Sequence, residues 1–220
     1  MSLTFSFTIL PSILIALFVI FSDRFREPVL PIIYAFSLGF LIIFPAGFLN
    51  NIFIFSKENP GDLAFIAGFT EETLKFITLY LFLRKRTEFD EPMDAIVYAT
   101  LLSLGFATLE NFEYVYSSDL GISSLLIASL RAFSAIPLHA CCGVIMGYYF
   151  GLYIFRGSKK LLLKSIFLPI LVHSIYNYIC GFTYPLLLLY IFIVVLYARN
   201  LIKKQKDLQK LKGFEKELKY

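Results

Sequence analysis

The chain has 220 residues, of which 58% are hydrophobic and only 16% charged, with a formal net charge of +4. Soluble domains are nearer half apolar and a quarter charged, so the composition excludes an ordinary water-soluble enzyme and indicates a membrane protein. The length suits one helical bundle without a second domain of normal size, and the basic residues lie between and after the apolar runs, so no nucleic-acid partner is expected.

In chain order, apolar runs divided by breakers predict seven spans, at about residues 3–22, 29–49, 63–83, 93–116, 123–155, 161–180 and 184–202, most of them near the ~20 residues that cross a bilayer. The first run has no basic segment before it and no A-x-A-like site after it, and is read as a retained span. The fifth run is too long: at helical rise it would reach ~50 Å against a hydrocarbon core of ~30 Å. Arg131 and Pro137 interrupt its first half. Residues 137–155 are therefore read as the crossing and 122–135 as an amphipathic piece at the interface. The expected fold is all-α: a polytopic transmembrane helical bundle of about seven spans plus an interfacial helix beside which a substrate would enter. Residues 1–198 form the transmembrane domain and 199–220 a basic cytoplasmic tail, read as a solvated helix near anionic headgroups.

Glycine recurs at Gly143, Gly147 and Gly151, a spacing that makes a groove for close helix approach. Cys141, Cys142 and Cys180 form no C-x-x-C and are read as packing thiols. Arg24 and Arg26; Arg84, Lys85 and Arg86; Arg156, Lys159 and Lys160; and the lysines of the tail alternate with loops that are almost free of basic residues. This positive-inside pattern predicts a multi-pass cell-membrane protein with its N-terminus outside and its C-terminus in the cytoplasm.

The third span, "LAFIAGFTEETLKFITLYLFL", places Glu71, Glu72 and Lys75 near its middle. Helical rise puts Glu71 and Glu72 ~12–14 Å below the outer boundary, Glu110 ~9 Å, His139 ~6 Å and His173 ~10 Å, with Asn177 one turn above His173 on the same face. Four spans thus bring carboxylates and both histidines of the chain to one depth. Intramembrane ionisable groups are costly unless paired or wetted, so the set of Glu71, Glu72, Glu110, His139 and His173 reads as a site. A lone Asn177 reads as readily as interhelical glue, and Lys75 as an i,i+4 partner of Glu71.

Two imidazoles and a carboxylate are a common ligand set for catalytic zinc, with a further carboxylate as general base; Glu110, His139 and His173 are the candidate metal ligands, with Glu71 or Glu72 as the base. A metal-free mechanism uses the same residues, a glutamate activating water while Asn177 and a histidine hold the oxyanion. Both versions stay open at this point.

The segments "EETLK", "FDEPMDAIVYATLLSLGFATLENFEYV", "AIPLHACCGVIMGYYFG" and "HSIYN" together resemble the PrsW family of polytopic membrane proteases, distant relatives of the CAAX prenyl-endopeptidase and bacteriocin-immunity group. The shared pattern E-E-x-x-K, F-x-x-x-E, a lone His and H-x-x-x-N falls on Glu71, Glu72 and Lys75; on Phe106 and Glu110; on His139; and on His173 with Asn177. Ala95 stands where a family glycine is expected. The resemblance covers roughly residues 60–180 and implies an intramembrane protease of the metal-dependent or glutamate type. It also implies first cleavage of a membrane-spanning anti-sigma factor on its extracytoplasmic side, so the expected partners are a single-span membrane protein and the lipid bilayer. The rival readings are a proton- or cation-coupled transporter, which would favour paired broken helices and a midplane site, and a catalytically silent membrane scaffold.

Overall fold

The computed structural model describes residues 2–84, 86–117 and 121–217, with side chains up to residue 211. Lys85, Asp119 and the tail lysines Lys212, Lys216 and Lys219 therefore lie outside the description at side-chain level. Eight α-helices follow one another, and the described residues contain no strand.

α1 (Leu3–Ser22) and α2 (Val29–Asn50) are apolar almost throughout; the last turn of α2 loosens into a π-helical turn, Asn51–Phe55. A short 3-10 turn, Pro60–Leu63, leads into α3 (Ile66–Leu83). At 18 residues α3 is ~27 Å long, close to the thickness of a hydrocarbon core. It carries Glu71, Glu72 and Lys75, which sets it apart from the six helical segments that are long and apolar enough to cross a membrane. α4 (Pro92–Tyr116) opens with Pro92 in its first turn and a capping box in which Glu91 and Asp94 satisfy each other's backbone N–H groups. α5 (Ser124–Phe133), α6 (Ala135–Arg156), α7 (Lys159–Ile179) and α8 (Tyr184–Glu217) complete the chain.

α4 is the axis of the bundle, buried along almost its whole length, whereas α1 and α7 bury only a stripe and turn apolar side chains outward. In lipid the helix carrying small and polar side chains belongs inside, and α4, with Thr100, Ser103, Gly105, Thr108 and Asn111 buried, is packed by α1, α2 and α6. The most extensive of these contacts is with α6. A Cβ on Gly143, Gly147 or Gly151 would lie within 3 Å of the backbone at Ala99 and Thr100, Ala95 and Ile96, or Pro92. The four-residue glycine repeat is therefore a packing groove, and Ala95 is the residue that fills it opposite Gly147. Interhelical contact in lipid depends on such close approach, because lipid tails are as apolar as the side chains they replace.

The long fifth run breaks at Ser134, three residues before the expected Pro137. Ser134 leaves helical geometry at φ −126°, ψ −71°. Pro137 instead sits in the first turn of α6, where its missing N–H would have had no intrahelical acceptor. Ser134 Oγ donates to the Leu130 carbonyl at 2.8 Å and accepts from the Tyr176 hydroxyl at 3.1 Å, tying the break to α7.

α8 runs unbroken through residue 199. Leu201, Ile202, Gln205 and Gln209 are buried against the bundle, so this stretch is packed rather than free in solvent. Gln209 Nε2 donates to Asp23 Oδ1 at 2.6 Å and to Glu91, and its Oε1 accepts from the Arg24 amide at 3.3 Å. Burial pushes the carboxyls of Asp23 and Glu27, in the loop between α1 and α2, above their usual range. A raised native pKa in an acid means stability that is present at low pH and lost as the pH rises through it.

Candidate active site

Glu71 and Glu72 lie five and six residues into α3. Glu110 lies six before the end of α4, His139 four into α6 and His173 six before the end of α7. Each is ~6–9 Å along its helix from the same end of the bundle. The five side chains meet there, and Glu71, Glu72, His139 and His173 are all at most 3% exposed.

Lys75 is the fixed point. It is fully buried, and its ammonium donates to Glu72 Oε1 at 2.7 Å and lies 3.7 Å from Glu71 Oε2. It is also 3.0 Å from His139 Nδ1, so an ammonium here makes that nitrogen an acceptor. Phe106 closes the remaining side, its ring 4.1 Å from Lys75 Nζ and 5.6 Å from the His139 ring. A buried charge persists only when paired and hydrogen-bonded, and Lys75 has both forms of support.

Glu72 also takes His173 Nδ1 at 2.9 Å. A carboxylate on Nδ1 fixes the ring so that Nε2 presents its lone pair, the usual arrangement behind a metal-bound histidine. That Nε2 faces Glu71 Oε2 at 3.9 Å, and the two imidazole rings meet edge to face with centroids 4.9 Å apart. One ligand atom from each of Glu71, His139 and His173 lies within 4.8 Å of the other two. Among the described residues, the buried Oε2 of Glu71 finds no hydrogen-bond donor. The oriented Nε2 of His173 and the uncommitted oxygen of Glu71 suit a divalent transition metal, and His139, whose Nδ1 accepts from Lys75 and whose Nε2 therefore carries a proton toward Glu110, joins them on giving up that proton.

Glu110 falls outside that trio. Its Oε2 lies 3.0 Å from His139 Nε2 and accepts from Arg131 Nη2 at 2.6 Å. Arg131 further donates from Nε to Asn111 Oδ1 at 2.8 Å and rests over the Tyr114 ring at 4.0 Å. Its partners are thus Glu110 and Asn111, and Glu110 and Tyr114, four apart, share the face of α4 that α5 covers. Asn177, one turn after His173, donates from Nδ2 to the Ala64 carbonyl at 3.1 Å and keeps a second N–H.

A cavity of about 610 Å³ opens over this cluster. Glu71, Glu110, His139, His173, Arg131 and Asn177 line it, and Glu72 and Lys75 stand behind them. Its lining residues all come from the end of the bundle where the cluster lies, around the end of α2, the turns before α3, α5 and the end of α7. The cavity is therefore one-sided.

Two contributors were not apparent in the sequence. Asn50, the last residue of α2, donates from Nδ2 to Glu71 Oε1 at 3.2 Å, and Thr70 donates its hydroxyl to Asn50 Oδ1. The available signal was weak: a polar pair, Asn50–Asn51, ending an apolar run.

The chain is similar to known proteins over most of its length. A family model described as PrsW family intramembrane metalloprotease matches residues 13–199. The chain is 34% identical over 218 residues to a protein named Protease PrsW from Clostridioides difficile (strain 630), covering 92% of this chain and 90% of that one. It is 36% identical over 206 residues to a Protease PrsW from Oceanobacillus iheyensis, covering 90% and 93% of the two chains. The Protease PrsW of Bacillus subtilis (strain 168) is 36% identical over 180 residues, covering 78% and 79%. No solved structure matches the chain. With a helical bundle, a one-sided polar cavity and these relatives in hand, the chain belongs to the PrsW family of intramembrane metalloproteases and is a multi-pass membrane protease.

Proposed function

We propose that the cavity is the hydrolytic centre, that it opens to the outer face of the membrane, and that it cleaves a single-span membrane protein near that face. The observation that carries this reading is the one-sided cavity with Glu71, His139 and His173 at its floor. The outward orientation rests on the loop charges, because the basic loops lie at the opposite end of the bundle. An anti-sigma factor cut first on its extracytoplasmic side suits such a site, and the family resemblance is what suggests it.

Glu71, His173 and, once its Nε2 proton is released, His139 are the residues that would hold a zinc ion. When bound, zinc supplies Lewis-acid polarisation of the scissile carbonyl and an acidified water. The chain does the rest. Glu72 accepts the Nδ1 proton of His173 and keeps Nε2 aimed into the cavity. Lys75 balances the charge of Glu72 from behind. Glu110, on the cavity wall beside His139, is the carboxylate placed to take a proton from the attacking water and return it to the leaving amine. Asn177 spends one N–H on Ala64 and offers the other to the oxygen that gains charge. The substrate helix must unwind to present a backbone carbonyl, so weak helix formers are expected around the cleaved bond.

The cavity wall provides a steric test. Gly47 lines the cavity, and a Cβ there would meet nothing within 4 Å. Gly47→Leu should thus fold and insert normally, since leucine is also the better helix former, while it obstructs the substrate. Cleavage of a single-span substrate should fall by about 10²-fold, the scale of loss from misplacing a reacting group. Gly47→Ala should cost far less. Full activity in the leucine variant would show that substrate does not use this cavity.

A further inference from the structure

Resting on the hydrolytic reading of the cavity, we propose that Asn50 is a positioning residue for Glu71, braced in turn by Thr70. Asn50 is buried at the junction between α2 and its π-helical turn. Its amide could in principle face Glu71 either way round. The Glu71 carboxylate removes that freedom, because it only accepts and so calls for Nδ2 on its side, and the Thr70 hydroxyl, also within 3.1 Å of the Ala67 carbonyl, donates to the Oδ1 that is left. A flipped amide would set oxygen against oxygen on the Glu71 side and give up the Thr70 donor on the other.

The consequence is a division of labour within one carboxylate. Oε1 of Glu71 is held by Asn50 at 3.2 Å, while Oε2 has no hydrogen-bond donor among the described residues and faces His173 Nε2. Without the amide the carboxylate can rotate toward Lys75, whose Nζ is already 3.7 Å from Oε2. That rotation would draw Lys75 away from Glu72 and His139, and carry the free oxygen away from the two imidazoles. Asn50 thus keeps Glu71 presenting a single oxygen to the cavity. Thr70 adjoins Glu71 in sequence, so α3 delivers both the carboxylate and the hydroxyl that braces its holder, whereas the amide comes from α2.

The test uses the full-length protein in detergent or vesicles, with Asn50→Ala, Asn50→Asp, Thr70→Val and Thr70→Ser. Asn50→Ala should lower kcat for a single-span substrate by about 10- to 100-fold with KM unchanged, and weaken Co²⁺ binding, followed by its visible absorption, by a similar factor, the range seen when the groups supporting metal ligands are removed. Asn50→Asp, which sets a carboxylate against Glu71, should lose more. Thr70→Val should show a smaller loss, and Thr70→Ser should restore wild-type behaviour at an unchanged melting temperature. Wild-type kcat in both Asn50→Ala and Thr70→Val would overturn the proposal. If the wild-type chain binds no Co²⁺, the metal reading of the site falls, and the kcat comparison alone still decides the role of Asn50.

Discussion

Glu71→Gln should abolish cleavage, with a loss of at least about 10³-fold, while the protein still inserts and folds. The argument begins from the carboxylate itself. Among the described residues, Glu71 is the one acid that both lines the cavity and lies within ligand distance of the two imidazoles. The amide of glutamine can still pair with Asn50 and fill the same volume, so packing is preserved. What disappears is the negative oxygen at the cavity floor. Losing several kcal/mol of transition-state stabilisation at a metal centre corresponds to a rate loss of about this size, since each 1.36 kcal/mol is tenfold. Metal content, measured beside cleavage, should fall as well. Glu71→Gln that keeps the metal but not the activity would reassign Glu71 from ligand to base.

Glu72→Gln is a less clean experiment. Glu72 is the hydrogen-bonded partner of the fully buried Lys75 and of His173 Nδ1. Breaking a buried ion pair by removing one member costs about 3–5 kcal/mol. Lost activity there would mix lost stability with lost chemistry.

Glu110→Gln should give a different pattern from Glu71→Gln: metal retained, and turnover reduced about 10²- to 10⁴-fold, the usual contribution of a positioned general base. The distinction follows from the geometry. Glu110 touches His139 Nε2 at 3.0 Å but is anchored by Arg131 at 2.6 Å on α5, outside the Glu71–His139–His173 trio. Arg131→Ala should share part of the effect, because it frees Glu110 from its fixed orientation. Loss of metal in Glu110→Gln would instead make Glu110 a ligand, and wild-type turnover would remove it from the chemistry.

The helices were legible because lipid allows few alternatives. Backbone groups in hydrocarbon must be satisfied within the segment, so an apolar run of the right length is a helix. The site was legible for the same reason: ionisable groups in such runs need a purpose, and simple helical rise placed Glu71, Glu110, His139 and His173 at one depth. Depth carries no information about azimuth, however. Hence Glu71 and Glu72, adjacent in sequence and only one residue's rise apart, could not be separated, although one faces the cavity and the other backs His173. Arg131 looked like a breaker within an apolar run, and its role became visible only once α5 was laid against the Glu110 face of α4. Asn50 looked like the start of a polar loop. Its contact is with a helix twenty residues away, which no local pattern encodes. The break at Ser134 was displaced onto Pro137 because proline is the stronger punctuation in a sequence, yet within the first turn of a helix it interrupts nothing.

The most direct test is metal analysis of the purified full-length chain beside cleavage of a single-span substrate before and after stripping with a chelator. The account predicts about one metal ion per chain, the stoichiometry of a single site with three protein ligands. It further predicts loss of both metal and cleavage in His173→Ala, no cleavage by the stripped protein, and recovery on adding back Zn²⁺. A chain that is free of metal and cleaves at its full rate would contradict it.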